Sequence, residues 1–345
     1  NGSRGLGDVY KRQFHFQQGL IGGSGTLTTD AATVTTLTDA GNLARLTDSR
    51  NWIHQGTTDF VGSNVFADLT LEGSSVLTNE GTFNFAPQDT GATLRGTGRF
   101  VNNATFRANG PVTAQVQTLA FDNNGTVIVD GAGLDIRGGG ADTGTYQVNA
   151  GTLDFSIGTR SFADGVNFSG AGNLLFSGGA YDFNGVSAHT MSTASTALET
   201  ATWQGSADID ITSATFAFRG AATIAGTGLV TTSPSTTTTL ADTSNRALLD
   251  TGREWRNEGT VNFDGLDVFS DFTLQAGATF RNVGTFTANN LAAGGQIQGA
   301  GTFVNEGTFN ANASPGTTVA AVLTNTGTIN VNEALVIQGG TSFTN

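Results

Sequence analysis

A nine-residue pattern, apolar-x-Asn-x-Gly-Thr-apolar-x-apolar, recurs along this chain at steps of 20 to 26 residues, a period that signals a solenoid. The copies run Leu77–Phe85, Phe100–Ala108 (with Ala104 in place of Gly), Phe121–Val129, Trp255–Phe263, Phe280–Ala288, Phe303–Ala311 and Leu323–Val331. A weaker copy, Gln147–Phe155, keeps Asn149, Gly151 and Thr152.

Within each copy the apolar residues alternate with polar ones, as in Phe83 and Phe85 or Val127 and Val129. A period of two is that of a strand with one buried face. Gly permits a sharp corner or a positive φ, and the β-branched Thr after it favours extension. Each Asn shares parity with the apolar residue before it, as Asn102 does with Phe100, so it is expected to turn inward. Stacked copies then hydrogen-bond along an amide ladder. A coil of this length holds three short strands and three turns. The predicted fold is therefore all-β, a right-handed parallel β-helix with about 20–26 residues per coil, continuous over 14–345.

A larger period overlies the short one. Trp52 and Trp255 are 203 residues apart, as are Arg50 and Arg253, Phe60 and Phe263, Asn79 and Asn282, and Asn102 and Asn305. A cassette at about 20–222 is thus repeated by about 223–345, the second copy being cut short. A longer parent sequence is expected to continue with a segment resembling Gly151-Thr152-Leu153-Asp154-Phe155 and Phe176 to Phe183. The mapping places the Ser/Thr-rich stretch Thr231–Thr239 opposite Thr28–Thr36, and so predicts an ordinary coil rather than a linker. Thr190–Thr202 has no second copy and reads as a longer loop.

Residues 1–13 match neither repeat. Arg4 to Gln13 resembles a translated sequencing-adapter artefact, and Lys11 within it is the only lysine of the chain. The segment is expected to be unstructured. Without Asp8, Arg4, Lys11 and Arg12 the chain has 27 acidic and 12 basic residues, a net charge of −15, which would repel nucleic acid. The 24 Phe argue for a real core, and the absence of Cys excludes disulfides and thiolate metal sites. No apolar run reaches the ~18 residues of a membrane-spanning helix.

β-Helices also house polysaccharide lyases and hydrolases, whose chemistry needs convergent carboxylates with one perturbed pKa. Asp208 and Asp210 are the best pair, sharing one side of a strand, and read as a solvated strand face. His15, His54 and His189 are scattered without zinc-ligand spacing. His54 stands where Asn is expected and reads as a substitute in the ladder. Gly138-Gly139-Gly140-Ala141-Asp142 occurs once, without the repetition of a calcium-binding nonapeptide. Trp52 and Trp255, available in principle for stacking on a sugar, fall at core positions. A recurring Thr suggests ice binding, but one Thr per coil at steps of 20 to 26 does not predict a flat regular array. No catalytic, cofactor-binding or metal-binding residues are assigned.

The wording Gly299 to Phe309, Gly-x-Gly-x-Phe-Val-Asn-x-Gly-Thr-Phe, with its relatives over most of 20–345, resembles repeats of large bacterial surface proteins, namely autotransporter passengers and filamentous-haemagglutinin-like adhesins. The resemblance implies export, a right-handed β-helix, and adhesion to host-cell, glycan or surface-matrix ligands. The expected function is that of a non-enzymatic adhesin-like stalk, extracellular or displayed at the outer membrane, with a carbohydrate-active β-helix enzyme as the alternative.

Overall fold

A computed structural model describes residues 12–37, 44–242, 247–250, 252–265, 271–289, 296–338 and 340–343. Among these the chain forms 46 short strands and no helix, wound into a parallel β-solenoid of about 14 turns with about 22 residues per coil. One coil runs Thr82–Phe85, Thr93–Gly96, Arg99–Asn102, and Thr105–Ala108 then lies directly on Thr82–Phe85. The strands stack into three faces. The first is a 16-stranded sheet, the second has 15 strands, and the third is divided into ladders of five and ten. At ~4.8 Å per coil the rod is about 70 Å long.

Alternation along each strand fills the interior. Phe83 and Phe85 are fully buried between the outward Thr82 and Asn84. Equivalent rings stack coil on coil, Phe83 on Phe106 at 5.6 Å and Phe100 on Phe121 at 5.4 Å between centroids. Burying each ring contributes about 1.5–3 kcal/mol, and no coil can cover its own apolar side without its neighbours.

The corner glycine of the repeat is required by close approach rather than by a positive φ. A Cβ on Gly81 would lie 2.1 Å from the carbonyl oxygen of Gly56, and one on Gly284 would lie 2.1 Å from that of Gly259. The corners stack so tightly that one backbone rests on the next.

Three expectations need correction. Arg12 and Gln13, assigned above to an unstructured leader, begin the first strand, Arg12–His15, and pair with Thr33 and Val34; residues 1–11 lie outside the described residues. Thr190–Thr202 is no loop but contributes to the strands His189–Ser192, Ser195–Glu199 and Thr202–Gly205, because Met191, Thr196 and Leu198 all turn inward. In the weak copy, Asn149 is exposed and donates to Asp130 Oδ1 at 2.8 Å, since the preceding strand ends with Val148 as its inward residue. Thr231–Thr239 does form solenoid strands, Leu229–Thr232 and the start of Thr237–Asp242.

The two cassette copies occupy different faces. Ser49–His54 is the sixth strand and lies on the third face; its counterpart Glu254–Asn257 is the thirty-fourth and lies on the first. The offset of 28 strands is nine coils plus one strand. Every feature of the second copy is therefore turned by one face about the rod axis.

Candidate functional site

Each full copy of the repeat ends a strand with an inward Asn at a corner, and those amides join into ladders. Asn79 Nδ2 donates to Asn102 Oδ1, and Asn102 Nδ2 to Asn123 Oδ1, each at 2.8 Å. The second ladder runs Asn257 to Asn282 (2.9 Å), Asn305 (2.8 Å) and Asn325 (2.6 Å). Second protons reach backbone carbonyls, as from Asn79 to Thr105 and from Asn282 to Thr308. Buried amides satisfied in this way fix coil register, and they are unavailable to a ligand.

Thr232 caps the second ladder, its hydroxyl donating to Asn257 Oδ1 at 3.0 Å. His54, in register with Asn79 and fully buried, takes the Asn position at the corner but bonds to Thr29 Oγ1 (3.1 Å to Nδ1) and Thr58 Oγ1 (3.2 Å to Nε2) rather than to the Asn79 amide. Trp52 and Trp255 are fully buried core residues whose indole N–H donates to Thr29 and Thr232. Desolvation holds the imidazoles of His54 and His189 below their ordinary pKa. His189 Nε2 lies 3.2 Å from the Asn184 carbonyl oxygen, whereas His15 is exposed beside Gln13.

At the other end of the first ladder lies a feature the sequence did not reveal. Asp142, closing the Gly-rich segment, turns inward, accepts the backbone N–H of Asn123 at 2.8 Å and pairs with Arg160 at 2.6 Å. Both side chains are essentially fully buried. The guanidinium donates to the Phe121 carbonyl and sits 5.9 and 5.4 Å from the ring centroids of Phe121 and Phe155. Burial raises the Asp142 carboxyl pKa, with Arg160 opposing it. The pair lies where the third face changes from its five-stranded to its ten-stranded ladder, between Ala120–Asn123 and Gly140–Asp142. Arg160 has no counterpart in the repeat, so no periodic signal pointed to it.

Arg253 is likewise buried, donating to the carbonyls of Ala225 and Ala207, and burial pushes its pKa down to about 10. Asp208 is exposed and accepts the Leu229 N–H at 2.7 Å. Asp210, on the strand Ile209–Ile211, is half-buried, and its pKa is raised first by desolvation and then by the charges of Asp208 and Glu258. Among the described residues no three His, Cys, Asp or Glu side chains are grouped to hold a metal ion, and no helix is long and apolar enough to cross a membrane.

Outside, the recurring Thr forms straight rows. On the first face Thr57, Thr82, Thr105 and Thr126 are direct register partners, and on the second Thr260, Thr285, Thr308 and Thr328 repeat them. The expectation that uneven coil lengths spoil such a row is overturned. The extra residues fall in corner loops such as Ala86–Ala92, while strand register is preserved. No family model, curated protein or solved structure matches this chain.

Proposed function

We propose that this chain is a section of a non-enzymatic, adhesin-like rod displayed on a bacterial surface or secreted, which presents its outward strand faces to host-cell, glycan or matrix ligands. The supporting observation is how the polar side chains are disposed. Amides, two histidines and two arginines are committed to interior contacts between coils, while the outer faces carry threonine rows in strand register, flanked on the first face by ion pairs such as Arg107 with Asp130. Such a rod is rigid and extends coil by coil without widening its core. The autotransporter-like wording of the repeat agrees with this reading. Saturable binding of the purified chain to cells or to an immobilised glycan panel tests it; inertness on every surface would leave only a spacer role.

One observation favours a carbohydrate-active enzyme instead: Asp210, on the strand Ile209–Ile211 with its carboxyl pKa raised, stands near Asp208 just before that strand. Depolymerisation of a uronate polymer by the purified chain, abolished by Asp208→Asn, would establish that alternative.

A further inference from the structure

The second face carries a two-column array over five adjacent strands, from Thr237–Asp242 to Thr328–Val331. Thr237, Thr260, Thr285, Thr308 and Thr328 form one outward column of direct register partners. Thr239, Asn262, Thr287, Asn310 and Asn330 form the second, two residues along each strand. Strand geometry sets the grid at ~4.8 Å between strands and ~6.6 Å between columns. The side chains are held in place. Threonine is stiff about χ1, Asn310 Nδ2 donates to Thr287 Oγ1 at 3.2 Å, and Asn330 Nδ2 donates to Asn310 Oδ1 at 2.9 Å.

We propose that this array is an ice-binding surface, whose ligand is the lattice of crystalline water. A partner for a rigid grid repeating in two directions must itself repeat at matching spacings, and both spacings lie near those of water oxygens on the faces of hexagonal ice. The chemistry selects among periodic partners. Neither column carries an ionised side chain, which an ionic mineral would require. Neither carries an aromatic ring, the usual platform for a sugar face. Hydroxyl and amide groups match water as donors and acceptors, while the threonine methyls order the water between them.

The related face of the first cassette copy supplies an internal contrast. Its threonine column, Thr57 to Thr126, stands beside Asp59, Asn84, Arg107 and Ile128, and Arg107 is drawn to Asp130 at 2.6 Å. A mixed, charged second column does not match a water lattice. Toward the other end of the second face, the second column changes to Ala217, Ala197 and Leu175, so the array is bounded.

This inference rests on the array alone and does not depend on the adhesion reading. The full 345-residue chain is tested by partitioning into a slowly growing ice hemisphere and by the shape of a single ice crystal held just below its melting point. The parent chain should enter the ice and facet the crystal. Thr285→Lys should lose most of both effects while Thr105→Lys, on the first face, keeps them. Circular dichroism melts verify folding, and the milder Thr285→Ala/Thr308→Ala double variant serves if the lysine variant does not fold. Exclusion of the parent chain from ice would overturn the proposal, as would undiminished activity in the folded array variants or equal loss in Thr105→Lys. Retention on microcrystalline cellulose or chitin without adsorption to ice would overturn it in favour of a glycan surface.

Discussion

Asn102 and Asn305 are the same residue of one repeated cassette, 203 positions apart, yet they sit at different corners of the solenoid. Asn102 ends a strand of the third face and leads into the first; Asn305 ends a strand of the first and leads into the second. Both are fully buried and both hold a ladder. The three corners are interchangeable because what the motif needs is local: an inward Asn, a stacked backbone and an extended Thr. A duplication of 28 strands is therefore accommodated in a three-stranded coil, with two ladders on two corners and two threonine columns on two faces.

The first prediction concerns the ladder. Replacing Asn102 by Leu removes its bonds to Asn123 Oδ1 and the Thr126 carbonyl and leaves the amide proton of Asn79 without its acceptor. The cost should be about 1–3 kcal/mol, read as a lower urea midpoint. The outward Thr105→Ser should shift it far less; equal midpoints would contradict the inward assignment.

The buried ion pair should behave as a unit. Asp142→Asn alone leaves the guanidinium of Arg160 buried without its counter-charge, at a cost of about 3–5 kcal/mol. Changing both partners, Asp142→Asn with Arg160→Met, should cost clearly less than the two single losses added together. Strict additivity in a double-mutant cycle would show that the pair is not coupled.

His54 and His189 make the fold sensitive to mild acid. Burial lowers both pKa values below the ordinary 6.5, so below that pH the unfolded chain takes up protons that the folded chain refuses. Stability should be level above pH ~6.5 and fall as the pH drops through and below it. The raised pKa of Asp142 acts with the opposite sign, its cost at neutral pH being relieved on acidification. His54→Asn, which restores the ladder consensus, should flatten the slope of Tm between pH 7 and 5; an unchanged slope would show that His54 does not contribute to it.

Much of this architecture was legible in the sequence because it is periodic. The parity of Asn102 with Phe100 predicted an inward amide, and the place of Trp52 and Trp255 before the corner predicted core packing. What is aperiodic was not legible. Arg160 meets Asp142 where the third face changes from one ladder to the next, and Asn149 leaves the ladder because the strand Thr145–Val148 ends one residue before it. The threonine grid was misjudged because residue counts between copies include corner loops, whereas strand pairing does not.

The central claim is that the copies are turned by one face, and the absence of cysteine makes it directly measurable. Thr215 and Thr237 are direct partners on the second face, although Val34, the cassette counterpart of Thr237, lies on the first. Cysteines at Thr215 and Thr237 should therefore form a disulfide readily under mild oxidation, adjacent strands lying within the ~4.4–6.8 Å Cα separation it needs. Failure of that pair to bridge, with bridging instead between cysteines placed at Asp210 on the first face and Thr237, would contradict the account.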